Sequence, residues 1–219
     1  MSSLALIVVA LAQGAAIHSG DTSDLRSPKF LGGIASIDVA TRKQMTGVSW
    51  RPGCPVGFAD LRLLRVTHWG FDGRVHRGRL VVHRRHAAAM LDVMRRLYRL
   101  RFTIRRMRLV DAYGADDRRS MAADNTSAFN CRTVAGTSRW SEHAYGRAID
   151  VNPVENPYVT DSGYVSPPAG ARFARRDQNV RGMIHGGGPV VATFAAAGWE
   201  WGGDWAWPKD FQHFSVSGS

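Results

Sequence analysis

The order of apolar and polar residues predicts a β-hairpin in the first half of the chain. Residues 61–83 contain two runs rich in strand-favouring residues, and these runs flank the pair Asp72-Gly73. An Asp-Gly pair is favoured in tight turns between antiparallel strands, because glycine adopts a positive φ without steric cost. We therefore expect two antiparallel strands that meet at this pair.

A helical period follows the predicted hairpin. Within residues 85–101, apolar side chains recur at helical spacing, which leaves the arginines on the opposite face. These apolar residues are Ala88, Leu91, Met94, Leu97 and Tyr98. Partial alternation at Ile104, Met107 and Leu109 then predicts a strand over residues 102–113. The polar segment that follows, residues 114–139, is predicted to be a long loop.

The second half of the chain is predicted to hold short elements between loops. Ser141 can cap a helical turn, and Gly146 can supply a bend that a residue with a Cβ resists. Residues 147–151 predict a strand, residues 155–188 predict loops, and residues 189–197 predict a helix with Pro189 in its first turn. Residues 210–216 predict a terminal strand. Strands outnumber helices and no βαβ alternation is present, so we expect an α+β fold with a mainly antiparallel sheet and a few flanking helices.

The N-terminal segment indicates export. An apolar run over residues 4–12 is followed by small residues, which is similar to a signal peptide, although no Lys or Arg precedes the run. We expect residues 1–16 to be a signal peptide, residues 17–48 to be a linker or pro-region, and residues 49–219 to form the folded domain. No stretch is long and apolar enough to indicate a transmembrane segment.

The charge of the chain favours anionic partners. The formal net charge is +11, which fits nucleic acid, acidic lipid or an anionic cell wall, or simply a soluble arginine-rich surface. No nucleic-acid motif accompanies the basic residues, so we expect no nucleic-acid partner. Two cysteines, Cys54 and Cys131, are expected to form a disulfide if the protein is exported, and otherwise to be buried thiols. We expect a monomer.

The segment from Ser141 to Asp150, S-E-H-A-Y-G-R-A-I-D, contains the candidate chemistry. His143 and Asp150 can meet at one metal ion if the chain folds back at Gly146, although a turn before an ordinary strand is the simpler interpretation. Hydrolytic zinc sites use three protein ligands, and His213 is the best candidate for the third. Asp210 is a candidate general base. Because residues three apart on a strand point to opposite faces, Asp210 would have to lie on a turn before the strand or at a bulge.

These residues resemble a known family. Ser141, His143, Gly146, Ala148 and Asp150 match every defined position of the S-x-H-x-x-G-x-A-x-D signature of the VanY/VanX-type zinc peptidases. This family comprises D-Ala-D-Ala carboxypeptidases and related L-alanyl-D-glutamate endopeptidases of bacterial cell walls. Its fold group includes lysostaphin-type peptidases and the hedgehog signalling domain. The later W-G-G-D-W and D-F-Q-H-F segments resemble its cell-wall and endolysin branch, so the resemblance extends over about residues 50–219.

The resemblance implies roles for individual residues. It makes His143, Asp150 and His213 the ligands of Zn²⁺, although iron or manganese also suits such a ligand set. It makes Asp210 the general base where many relatives have glutamate, with Asp204 as the rival or as a residue that orients a ligand. The arginine that relatives place after a strand is missing at Tyr113-Gly114, so Arg132 is the substitute that stabilises the oxyanion or holds a substrate carboxylate. Residues expected to line the cleft are Asn125, Ser127, Phe129 and Asn130.

The function implied is a secreted or wall-associated zinc metallopeptidase that acts on peptidoglycan stem peptides. D-alanyl-D-alanine carboxypeptidase activity is expected first. The alternatives are an L-alanyl-D-glutamate endopeptidase and a non-catalytic zinc-containing wall-binding module. A cluster of four tryptophans near the C-terminus is expected to belong mainly to the core, with one or two lining the cleft: Trp199, Trp201, Trp205 and Trp207.

Overall fold

A three-stranded antiparallel sheet forms the first part of the fold. In the computed structural model, which describes residues 28–218, β1 (Gly32–Ser36) precedes helix α1 (Val39–Met45), β2 (Leu61–Trp69) and β3 (Val75–His83). The strand order is β1-β2-β3. The predicted hairpin is confirmed, and Gly73 in its turn has a φ of 74°.

Regular structure begins earlier in the chain than the sequence indicated. Strand β1 and helix α1 both lie within residues 17–48, where we expected a linker or pro-region. All five residues of β1 are exposed, so the strand has no apolar alternation and is held by its backbone pairing with β2. Helix α1 is capped by the Asp38 side chain, which accepts from the Thr41 backbone N–H. The predicted signal peptide, residues 1–16, lies outside the described residues.

Each face of this sheet packs against a helix. Helix α2 (Ala87–Arg99) lies within the predicted helical segment and buries its apolar side against one face. The core on that side includes Leu64, Val66, Leu80, Val82, Met90, Val93, Met94 and Leu97. On the other face a second cluster is formed by Ile37, Met45, Leu61, Leu63, Val81, Leu109, Phe129 and Cys131. The predicted disulfide between Cys54 and Cys131 is present beside this second cluster.

The segment between α2 and the candidate site differs from the prediction. Instead of one strand over residues 102–113, the chain has the two-residue strand β4 (Arg106–Met107) and a 3-10 helix, Val110–Tyr113. The predicted loop over residues 114–139 contains α3 (Asp117–Ala122) and β5 (Asn125–Thr126), which pairs in parallel with β4. Ile104, Met107 and Leu109 are all buried, but they belong to a segment that is mostly irregular. Their alternation therefore came from the burial of separate side chains and not from one continuous strand.

The C-terminal part consists of short strands and one helix. These elements are β6 (Ala148–Asp150), β7 (Tyr158–Val159), β8 (Val165–Ser166), α4 (Pro189–Ala195), β9 (Glu200–Trp201), β10 (Lys209–Asp210) and β11 (His213–Ser215). They form two antiparallel sheets, ordered β6-β11-β9 and β10-β7-β8. The fold is therefore α+β with several antiparallel sheets and few helices, as predicted. Within residues 28–218 no helix has the length and apolar character to cross a bilayer.

Candidate metal centre

Three side chains from two paired strands and a helical turn converge in the interior. Asp150 ends β6 and His213 begins β11, and these residues are direct partners in the antiparallel ladder. His143 comes from a 3-10 helix, Glu142–Tyr145, just before β6. The Asp150 carboxylate lies 3.2 Å from His143 Nε2 and 3.0 Å from His213 Nδ1, and the two ring nitrogens are 3.3 Å apart. All three residues are buried.

The hydrogen bonds of His143 indicate which atom faces the centre. His143 Nδ1 lies 2.5 Å from the carbonyl oxygen of Ala128, and a carbonyl can only accept. Nδ1 therefore donates, and the lone pair of His143 is on Nε2, which faces Asp150 and His213. A lone pair beside a carboxylate is repulsive unless a proton or cation lies between them. Two imidazole nitrogens and a carboxylate oxygen form the donor set of three-ligand zinc sites, so these residues fit a zinc ion.

Burial and mutual charge shift the titration of the centre. Burial by itself raises the pKa of Asp150, but in the metal-free protein the imidazoles of His143 and His213, when protonated, outweigh it through their charge and hydrogen bonds and hold that pKa far below its usual range. Burial also lowers the pKa of His213, yet its hydrogen bond to Asp150 and the Asp150 charge raise the pKa overall. The centre thus keeps a buried carboxylate ionised and opposite positive charge.

The local sequence explains why the turn before β6 presents His143. The Ser141 hydroxyl accepts from the His143 backbone N–H and caps the 3-10 helix, as predicted. Gly146 ends that helix with a φ of 68°, and its carbonyl accepts from the His83 backbone N–H at the end of β3. A Cβ on Gly146 would lie 2.6 Å from His83 N. Glycine is needed here for its positive φ and for this close approach.

Backbone groups of the segment after β5 hold the centre from the other side. Ser127 and Asp150 exchange two backbone hydrogen bonds, of 3.1 and 2.9 Å, and the Asn130 N–H donates to the His143 carbonyl. The side chains of Ser127 and Asn130, predicted to line a cleft, are buried, and the Asn130 amide donates to the Ala115 carbonyl. Both residues therefore support the centre through their backbones.

Two other residues predicted to line the cleft lie in the interior. Asn125 is 0% exposed, its Oδ1 accepts from the Arg108 N–H, and its amide donates to the Arg108 carbonyl and to Ser120 Oγ. The side chain of Asn125 is thus bonded within the fold and has a structural role, and its contact with substrate stays a prediction. Phe129 is likewise buried, in the core cluster beside α1.

The two candidate base residues have different surroundings. Asp210 ends β10, and a two-residue turn separates it from His213. Asp210 therefore lies before the strand that carries His213, so the two side chains need not point to opposite faces. Its Oδ1 is enclosed and has no hydrogen-bond partner within residues 28–218. Burial, followed by the charge of Asp150, raises its pKa to about 6 against the opposing charge of His213. Asp204 ends a 3-10 helix, Gly202–Asp204, and is exposed. These surroundings favour Asp210.

Arg132 lies close enough to the centre to influence it. Its charge is among the influences that lower the pKa of His213, although the Asp150 carboxylate prevails. The guanidinium forms a 2.9 Å ion pair with Asp117 of α3, and its Nε is buried without a partner within the described chain. Cys131, the residue before Arg132, is fixed by its disulfide with Cys54. Asp117 gave no sequence signal, because one acidic residue in a polar segment has no pattern.

The tryptophans divide between core and site. Trp199 and Trp201 are buried, as expected for core residues. The ring of Trp205 lies 5.5 Å from the ring of His213, and Trp207 is 57% exposed. Trp205 thus forms part of the wall of the candidate site. The sequence analysis expected one or two of the four tryptophans to line the cleft, but did not say which. The Ala128 carbonyl was missed altogether, because side-chain patterns contain no information about backbone acceptors.

The comparison with known protein families points to the part of the chain that contains the candidate metal centre. Residues 135–216 match the model of a family described as D-alanyl-D-alanine carboxypeptidase. This segment contains all three converging residues and both candidate bases, whereas Arg132 precedes it. Comparisons with curated proteins and with solved structures gave no match. This part of the chain is therefore similar to that peptidase family, and it contains the His143–Asp150–His213 group.

Proposed function

We propose that this protein is a zinc-dependent peptidase that cleaves peptidoglycan stem peptides, with D-alanyl-D-alanine carboxypeptidase as its leading activity. The observation that supports this most strongly is the buried convergence of His143, Asp150 and His213 inside the segment that matches the carboxypeptidase family. Zinc is the metal that this ligand set favours among those that act without redox chemistry.

His143 Nε2, Asp150 and His213 Nδ1 would hold the metal. Bound zinc would supply Lewis-acid activation of the scissile carbonyl and of the attacking water. Asp210 then accepts the proton that the attacking water loses, and returns a proton to the nitrogen of the leaving amine as the peptide bond breaks. A pKa of about 6 suits both transfers, since the carboxylate is ionised at neutral pH yet still basic enough to take a proton.

Arg132 is proposed to bind the negative charge of the substrate. Its positive charge acts on the region of His213, where an oxyanion or a terminal carboxylate of the peptide would lie. Asp117 neutralises part of this charge and fixes the direction of the guanidinium. An Arg132→Ala variant with unchanged kcat and KM would refute this role.

Release of D-alanine from purified muropeptides tests the function. Zinc-loaded protein should release D-alanine, and chelated protein should not. His143→Ala should be inactive because it removes one ligand. His76→Ala is the matched control, since His76 is exposed near the turn of the hairpin and bonds to Asp72. It should keep full activity.

The same digest separates the alternatives. New amino termini without D-alanine would identify an endopeptidase that cuts within the stem peptide. Bound zinc without turnover of any stem peptide would refute the peptidase proposal and leave a wall-binding module. We further propose that the protein is exported and acts at the wall, which the disulfide and the net charge of +11 support.

A further inference from the structure

Within residues 28–218, one face of the sheet β1-β2-β3 is covered at one end and open at the other. At the covered end, Leu61, Leu63 and Val81 belong to the cluster that also contains Met45 of α1. Residues two apart on a strand share a face. The same face therefore continues along β2 to Arg65 and along β3 to Arg79 and Arg77. These three arginines, here called the basic face, line a groove of about 420 Å³ beside β1.

The fold balances the charges of the basic face only in part. Arg65 and Arg79 are direct cross-strand partners, and like charges in this arrangement are destabilising. Arg65 pairs with Asp38 at 2.6 Å, whereas Arg79 donates to the neutral Thr41 hydroxyl at 2.8 Å. Arg77 is exposed, and its side chain has no hydrogen bond or ion pair to any residue of 28–218. Two carboxylates lie within range of these three positive charges: Asp38 pairs with Arg65, and Asp111 interacts with Arg79 through its charge. Arg77 is the excess charge that folding alone does not require.

The shape and chemistry of the groove indicate the type of ligand. Guanidinium groups bind phosphate and carboxylate oxygens with two parallel hydrogen bonds. The arginines occupy neighbouring positions of two paired strands, so they would meet charges repeated roughly every 5–7 Å along an extended polymer. Among the described residues, the rest of the lining is aliphatic, glycine or threonine, including Leu31, Gly33 and Thr67. It offers no aromatic ring on which a nucleic-acid base could stack.

We propose that the basic face is a second binding site, for a phosphodiester polymer that has no bases, such as a chain of glycerol phosphate units. It is separate from the metal centre. Gly146, next to that centre, contacts the His83 end of β3, and Arg77 lies six residues away, roughly 20 Å along the strand. A polymer bound at the basic face would leave the cleft free for a peptide. The proposal does not depend on catalytic activity.

Binding of synthetic poly(glycerol phosphate) to the full chain tests the proposal. Arg65→Gln/Arg77→Gln should weaken binding by about tenfold or more, and should lower the slope of log K against log salt by about two, because two phosphate contacts are lost. Arg79 is left intact because it also holds Thr41 of α1. The matched control is Arg96→Gln/Arg99→Gln, which removes two exposed charges from α2 on the opposite side of the sheet. It should change affinity less than about twofold.

Each other outcome overturns the proposal. Equal losses in the two double variants would mean that net charge, and not the basic face, binds the polymer. Tighter binding of duplex or single-stranded DNA with the same arginine dependence would indicate a nucleic-acid surface. Loss of polymer binding in His143→Ala would mean that the two sites are not separate. If the double variant does not fold, as judged by circular dichroism, Arg77→Gln alone must still weaken binding by about threefold or more.

Discussion

Replacement of Gly146 by alanine should damage both the stability of the fold and the metal centre. Gly146 has a φ of 68° and ends the 3-10 helix that presents His143. An added Cβ would lie 2.6 Å from His83 N and 3.1 Å from Val82 C. Both atoms belong to the backbone of β3, so the overlap cannot be relieved by rotation of a side chain.

Two costs add at this position. A residue with a Cβ at positive φ costs about 1–2 kcal/mol relative to glycine. Displacement of packed neighbours by an extra carbon costs about 1–3 kcal/mol more. Gly146→Ala should therefore lower the free energy of unfolding by about 2–5 kcal/mol. Gly73→Ala is the matched control, since Gly73 has a φ of 74° and a Cβ there would meet no atom within 4 Å. It should lose only about 1–2 kcal/mol.

Urea unfolding of the two metal-free variants measures the difference. Zinc affinity, measured by competition with a chelator, should fall by about 10–100-fold in Gly146→Ala, because the segment that orients His143 must shift. It should be unchanged in Gly73→Ala. Equal losses of stability in the two variants would refute the close approach to β3 as the reason for Gly146. Unchanged zinc affinity in Gly146→Ala would refute its role in positioning the ligand.

Three other perturbations give separate tests. Asp210→Asn should lower kcat/KM by about 10²–10⁴ while zinc still binds, and an active Asn variant would exclude this carboxylate as the base. Wild-type activity should rise with pH as Asp210 ionises, with a midpoint at or below the pKa of about 6 that Asp210 has in the metal-free protein, because bound zinc favours the carboxylate. Cys54→Ser/Cys131→Ser should lower the free energy of unfolding by about 4–5 kcal/mol, because the disulfide spans 77 residues and restricts the unfolded chain. A loss of stability below about 1 kcal/mol in calorimetry would contradict this chain-entropy argument. Burial and the neighbouring Asp124 raise the pKa of Glu155 from 4.5 to about 7, so the folded state binds the proton more tightly and stability should fall as pH rises between these values. Glu155→Gln should remove this fall in urea titrations at pH 5 and 8, and an unchanged pH dependence would argue against Glu155 as its source.

Local sequence determined the elements whose cause is also local. The hairpin at Asp72-Gly73 follows from turn chemistry, and α2 follows from a helical period of apolar residues. The helical turn at Ser141 follows from its capping side chain, and the bend at Gly146 from a positive φ. In each case the physical reason lies within a few residues, so the pattern contained it. The pairing of Cys54 with Cys131 was also predicted, since only two cysteines exist.

Elements held by distant backbone contacts could not be predicted in the same way. Strand β1 is exposed at every residue and exists because β2 offers it hydrogen bonds, so its own sequence contains no alternation. Residues 102–113 showed an alternation that is produced by burial of separate side chains and not by a strand. Asn125 was expected at the cleft because it lies in the same loop as Arg132, whereas its side-chain amide is bonded to the backbone of Arg108.

The sequence by itself determined which residues have the chemistry of a metal centre, because His143, Asp150 and His213 are the correct donor types in a recognisable order. Only the tertiary structure decided how they meet: antiparallel pairing of β6 with β11 places Asp150 opposite His213, and the Ala128 carbonyl turns Nε2 of His143 towards them. It also enclosed Asp210, exposed Asp204 and brought Asp117 to Arg132. The physical reason is the range of the interactions. Propensity and capping act between near neighbours in sequence, whereas burial and charge depend on residues that only the fold brings together.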